Sequence, residues 1–349
     1  AMGAWAGPPV NAQVLAFGNA YLSAGQLVIE GYLYDVSGAA RPEVLARRYT
    51  NPATEPGARA IAHRFANAIL ERLGGGLPGI AESKIYFVRK AGAVKEIWVM
   101  DYDGANQRPV TQYGSLSLTP AVSPDGTQLA FTSYWAGNPQ IFVLSLASLR
   151  RLPFQNPSSG LNTTPAWSPD GRRLAFCSSL THDPEIYATD DSGRNLRRLT
   201  SSRGVDITPV WNPKTGAQIA FVSDRGGLPQ VYVMDADGSN VRKLSGGEGD
   251  AVTPAWAPNG QILAFSWTRG FAPGNYNIFL MDVASGQLVQ LTHGAGRNEH
   301  PWFSPDGRHI VFESDRKGGK QIFSMLADGS KVRALTTAGE NTSPVWSAR

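Results

Sequence analysis

The chain has 349 residues, a formal net charge of +4, 42% hydrophobic residues and one cysteine. That length exceeds one ordinary domain, the charge is too small and scattered for a nucleic-acid-binding stripe, and a lone cysteine excludes an intrachain disulfide. No run of 18 apolar residues is present, so no segment reads as a membrane-spanning helix. Glycine (38) and proline (24) are enriched beside nine Trp, which predicts many turns between short strands. Cys177 lies in the apolar run Leu174-Ala175-Phe176-Cys177 and reads as a buried, inert thiol. The pairs Arg150-Arg151, Arg172-Arg173 and Arg197-Arg198 read as solvated surface. No secretory signal is visible, and Ala1-Met2-Gly3 looks like a cloning remnant.

Residues 1–80 read as a small α/β domain that begins part-way through its fold. Gln26 to Val36 is β-branched and aromatic and predicts a strand, with Val44 to Tyr49 as its partner and Val14 to Phe17 as a third. From Ala58 to Leu73 the period becomes helical, with Ile61, Phe65, Ala68, Ile69 and Leu73 on one face. Thr54 and Pro56 suit the helix start, Gly74-Gly75-Gly76 its end, and Gly74 to Gly79 a linker.

Residues 81–349 are dominated by a repeat. Thr164-Pro165-Ala166-Trp167-Ser168-Pro169-Asp170-Gly171 returns in complete or degraded form, its leading prolines falling at 120, 165, 209, 254, 301 and 344. Each is followed by an apolar pair such as Ala175-Phe176 or Ala220-Phe221, then a run such as Ile186-Tyr187 or Val231-Tyr232, then a short Leu-Thr segment. Four strands per period of about 45 residues, repeated six times, predict a six-bladed β-propeller. Residues 84–111 supply three strands of one blade and Thr342 to Ser347 the missing first strand. Joining them would close the ring and leave no free edge.

Most of the conspicuous motifs are accounted for by the fold. Trp167, Trp211, Trp256 and Trp346, with Val122 and Phe303 at equivalent places, recur once per blade, as packing requires and a single binding site does not. Ser-Pro-Asp-Gly is a turn: proline presets φ, Asp caps and Gly exits. Asp101 to Asn106 and Asp235 to Asn240 lack the ligand spacing of a calcium loop and read as hairpin turns. Asn162-Thr163-Thr164 and Asn341-Thr342-Ser343 match a glycosylation acceptor by chance within the strand motif. No nucleophile elbow, zinc-protease motif or Walker loop is present, and no metal site or cofactor is expected.

The residues before each leading proline are Thr119, Thr164, Thr208, Thr253, His300 and Ser343, preceded by Asn162, Asp206, Asp250, Asn298, Glu299 and Asn341. They are expected at the channel rim as a polar, mostly acidic mouth. Two readings stay open: strand-end capping and solvation, or a docking funnel for a partner segment or cation.

At these residues the sequence resembles the TolB family. The repeat Pro-Ala-Trp-Ser-Pro-Asp-Gly, followed by Leu-Ala-Phe and Ile-Tyr-x-x-Asp, carries the resemblance. So do the order of α/β region and then Ile85-Tyr86-Phe87-Val88, the run Val99 to Asn106, and the final Ser343-Pro344-Val345-Trp346-Ser347. The resemblance implies a monomeric, non-enzymatic periplasmic scaffold that binds the peptidoglycan-associated lipoprotein Pal at one propeller face. It also implies contact with TolA through an extreme N-terminal segment, where this sequence departs from the pattern, and recruitment by colicins. No nucleic acid or membrane insertion is implied. Mapped by the motif, the Pal contact falls around Leu161 and Thr164 and near Ile207. With the rim, the candidate partner-binding residues are Leu161, Asn162, Thr164, Asp206, Ile207, Asp250, Glu299, His300 and Asn341. The rival readings are a propeller enzyme of the oligogalacturonate-lyase type, which needs several metal-binding histidines where the motif offers His300, and a peptide- or glycan-binding module.

Overall fold

The structure is a computed structural model that describes residues 12–38, 40, 42–158 and 160–347. The Ala1-Met2-Gly3 reading lies outside them. The chain divides into two compact units, Ala1–Glu82 and Ser83–Arg349.

In the first unit β1 (Val14–Ser23), β2 (Gln26–Asp35) and β3 (Glu43–Pro52) form an antiparallel sheet in sequence order. β1 runs six residues beyond its expected end because Gly18 does not stop it. A side chain there would meet the Glu30 carbonyl oxygen at 2.3 Å, so glycine allows the close backbone approach. Helix α1 (Glu55–Leu73) packs on β3 and β2. Thr54 caps it, its hydroxyl accepting from Gly57 N–H at 3.2 Å. Ile61 is fully buried and Phe65, Ala68 and Ile69 half-buried, but Leu73 in the last turn is 52% exposed, against the expected continuous face.

Among the described residues the second unit forms six four-stranded antiparallel sheets. Blade 1 combines Lys84–Ala91, Val94–Asp101 and Arg108–Pro109 with Glu340–Ser347 as its innermost strand. Blades 2 to 6 span 117–152, 162–198, 206–243, 251–290 and 298–334. Their innermost strands are Ser117–Val122, Asn162–Trp167, Asp206–Trp211, Ala251–Trp256 and Asn298–Phe303. Each innermost strand contacts its equivalents on both sides, and Glu340–Ser347 contacts those of blades 6 and 2, which makes the ring continuous.

The apolar pairs lie in the second strands, which are covered on both faces by neighbouring blades. Ala130, Ala175, Ala220 and Ala264 are fully buried, as are Phe87, Phe131, Phe176, Phe221 and Phe312. This explains why those strands read as continuous apolar runs rather than alternating ones. The recurrent tryptophans pack across the seams: Trp167 joins Phe176 and Tyr187 of its own blade to Ala121, Ala130 and Ile141 of blade 2. Its indole N–H donates to the Ala121 carbonyl at 3.1 Å, and Trp211 and Trp256 repeat the bond to Ala166 and Val210. Cys177 is fully buried, and burial pushes its thiol up to about 12.

Candidate functional site

The six residues before the leading prolines share one unusual backbone state. Thr119, Thr164, Thr208, Thr253, His300 and Ser343 have φ between +49° and +53°. Left-handed backbone is costly for β-branched residues, so its sixfold recurrence marks a built feature. Proline has no N–H to give the ladder, and the pairing register slips at this point in every innermost strand. The bulge turns these six side chains and their prolines toward the axis, around a cavity of about 100 Å³. Farther along the same strands, tryptophans and the prolines of the Ser-Pro-Asp-Gly turns surround a second axial cavity of about 370 Å³.

Four of the expected rim residues lie elsewhere. Asn162, Asp206, Asn298 and Asn341 are fully buried, so the structure corrects their assignment to an open mouth. They belong to a polar clamp repeated at the seams. A hydroxyl just past the outer strand accepts a backbone N–H of the third strand and donates to that strand's first side chain, which holds the next blade. In blade 6, Thr336 accepts from Ile322 N–H at 2.9 Å and donates to Gln321 at 2.6 Å; Gln321 in turn accepts from Asn341 of blade 1 at 2.9 Å. Thr292, Asn277 and Asn298 repeat the series between blades 5 and 6. Asn162 donates to Gln140 at 2.9 Å, where Asn156 replaces the hydroxyl. Between blades 3 and 4 the clamp is made of acids: Thr200 donates to Glu185 at 2.5 Å, and Glu185 meets Asp206. Arg198 binds Glu185 and Arg225 binds Asp206, each at 2.7 Å. Burial of the strand starts also removes both glycosylation acceptors from solvent.

The other six candidates do reach the mouth or its chamber. Thr164 and His300 border the upper cavity, and Leu161, Ile207, Asp250 and Glu299 are partly exposed at the strand starts. The mouth is divided rather than mostly acidic. Two and four residues before the leading proline, all partly or fully exposed, blades 2 to 4 carry Leu116, Leu118, Leu161, Thr163, Val205 and Ile207. The same positions of blades 5, 6 and 1 carry Asp250, Val252, Arg297, Glu299, Glu340 and Thr342. Three acids of this half are neutralised: Glu299 by Lys320 at 3.0 Å, Asp315 by Arg297 at 2.7 Å and Glu340 by Lys90 at 3.0 Å.

Below Glu299, Lys320 also binds Glu313 at 2.6 Å, and His300 Nδ1 stands 3.2 Å from the other Glu313 oxygen. That oxygen accepts the Ser343 backbone N–H of blade 1 at 2.7 Å. Burial disfavours a charged Glu313, but His300 and Lys320 outweigh it and hold the carboxyl at about 2. His300 is raised by Glu313 against the opposing effect of burial, and Lys320 is raised likewise. Sequence reading missed Glu313 and Lys320. The signal was available, since the equivalent second-strand positions hold Val88, Thr132, Cys177, Val222 and Ser266. Among the described residues no cluster of three His, Cys, Asp or Glu could hold a metal ion.

The profile of the TolB beta propeller domain matches residues 70–251 and 244–349. The chain belongs to this family. A protein TolB homolog of Chlorobium chlorochromatii is 38% identical over 57% of this chain and 43% of its own length. The Tol-Pal system protein TolB of Bordetella pertussis is 40% identical over 46% of this chain and 36% of its own. Each match thus spans less than half of the curated relative. The crystal structure of TolB from Acinetobacter baumannii superposes with a TM-score of 0.83 at 27% identity, covering 96% of this chain and 83% of that one. An oligogalacturonate lyase in complex with manganese, at 17% identity and a TM-score of 0.51, shares the fold alone.

Proposed function

We propose that the chain is a non-enzymatic binding scaffold of a Tol-Pal system, acting in the periplasm and receiving Pal at the divided mouth of its channel. The observation that carries this reading is the concentration of partly exposed apolar side chains on one half of the rim, beside a charged half fixed by ion pairs. An apolar patch supplies affinity and the adjoining charges orient the partner. Relatives named as Tol-Pal system proteins support the system, and family membership supports the scaffold role. Among the described residues no helix is long and apolar enough to cross a membrane. TolA and colicins remain proposed partners by the same resemblance.

Calorimetric titration with the globular domain of Pal tests the reading. Leu161→Asp with Val205→Asp is expected to weaken binding by at least about tenfold, as loss of an interface centre does. Unchanged affinity in a folded double variant would overturn the docking face.

A further inference from the structure

The innermost strands correspond residue for residue from the leading proline onward. The position after that proline is Ala121, Ala166, Val210, Ala255 and Val345 in five blades, but Trp302 in blade 6. Blade 6 still places an aromatic at the seam, Phe303, which is 5% exposed and packed among Ala264, Ile310 and Phe312. Trp302 is therefore an additional ring. It borders both axial cavities, at the waist that Val210 and Val345 also line.

Its anchorage also differs from that of the seam tryptophans. Trp167, Trp211 and Trp256 donate to a carbonyl of the preceding blade, whereas Trp302 donates across to the Trp346 carbonyl of blade 1, at 3.2 Å. The indole is thus held by its own blade at one end and by the ring-closing strand at the other. Alanine or valine at this position in the other blades leaves the axis open, and a single indole is bulky enough to cross it.

We propose that Trp302 is the floor of the upper chamber, so that the mouth accepts one aliphatic side chain of a partner and does not let a chain thread through. The cavity above it, about 100 Å³, is of side-chain size. Its wall is formed by threonines, Ser343, prolines and His300, with valines and the indole at the bottom. That lining suits an aliphatic group entering among methyls and rings, and offers no cation to fix an inserted carboxylate beyond His300, which Glu313 already engages. The inference rests on the docking reading above and specifies its depth.

Two variants test it, Trp302→Val, which copies blades 4 and 1, and Trp302→Phe, which keeps a ring. Crystal structures and Pal-domain titrations are compared with the wild type. The expected results are one continuous axial cavity in Trp302→Val, about tenfold weaker Pal binding by that variant, and a smaller loss for Trp302→Phe. A cavity still divided in Trp302→Val overturns the floor. A merged cavity with unchanged Pal affinity, while Leu161→Asp with Val205→Asp abolishes binding, overturns the floor's role in docking and leaves the docking face standing. If wild type does not bind Pal, the docking reading falls and the floor's role falls with it.

Discussion

Glu185 and Asp206 meet at the seam between blades 3 and 4 with none of their surface exposed. Burial raises Asp206 despite Arg225, while Thr200, the Ser202 backbone and Arg198 overcome burial and lower Glu185. As pH falls, the pair therefore takes up its first proton on Asp206. A carboxyl raised on folding is penalised as pH climbs from its ordinary 3.8 through the folded value, and the penalty persists above it. Blades 5 and 6 show the neutral solution, where Arg316 donates to the Asn298 side-chain Oδ1 at 2.6 Å. Asp206→Asn is expected to stabilise the neutral-pH protein by about 1 kcal/mol, a rise of about 2–4 °C in melting temperature. The gain should vanish below pH 3.8. Calorimetric melts across pH measure this, and a loss of stability at neutral pH would show that the acid pair is favourable.

His300 offers the opposite sign. Its folded value is raised, so its ion pair with Glu313 stabilises fully below the ordinary 6.5 and the contribution is lost as pH rises through the folded value. Glu313 contributes above its ordinary 4.5, and that contribution is lost as pH falls through about 2. Proton NMR of the imidazole should give a midpoint above 6.5 in wild type and a lower one in Glu313→Gln. Equal midpoints would mean that Glu313 does not hold the imidazole charged.

The hydroxyl of Thr292 accepts the Ile278 N–H at 2.9 Å in a buried setting. Thr292→Val keeps the shape and leaves that N–H unsatisfied, which should cost about 1–3 kcal/mol by denaturant unfolding. Thr292→Ser should cost little, because Ser245 serves blade 4 in the same way, accepting from Val231 at 2.8 Å. A valine variant as stable as wild type would remove the clamp from the account of how blades hold together.

Trp256 separates packing from hydrogen bonding at a seam. Trp256→Ala should cost about 3–5 kcal/mol, as large-to-small core substitutions do. Trp256→Phe retains most of the apolar contact with Leu263 and Phe265 but strands the Val210 carbonyl, at a cost of about 1–3 kcal/mol. Equal losses in the two variants would mean that the ring's packing carries none of the energy.

The propeller was legible because each blade repeats its proline, tryptophan and turn, and periodicity survives substitutions within any one copy. The seam clamp was not legible. Asn162, Asp206 and Asn341 look like solvent-facing caps in one dimension, yet the bulge at the following left-handed residue fixes which way each strand start points, and that way is inward. Thr164 and His300 were placed near the axis because they adjoin the motif. Trp302 was visible as Pro-Trp-Phe where the other copies place Ala or Val after the proline, but its meaning depends on the neighbouring position facing the axis rather than the seam. The strand expected over Val14 to Phe17 continues to Ser23, and only the approach of the Glu30 carbonyl shows why Gly18 lets it pass.

Blade 1 is stitched from Lys84–Ala91 and Glu340–Ser347, which are about 250 residues apart in the chain. During synthesis, blades 2 to 6 can form their own hairpins as they emerge, but Ile85 and Phe87 wait for a partner that is translated last among the described strands. The nascent protein therefore spends its growth as an open arc with an unpaired edge at blade 1, and such edges recruit foreign strands. Premature termination before Glu340 would leave a folded-looking product that cannot close. Closing the ring therefore rests on a late pairing between strands far apart in the chain, which carries a larger loop-closure cost than the local hairpins of the other blades.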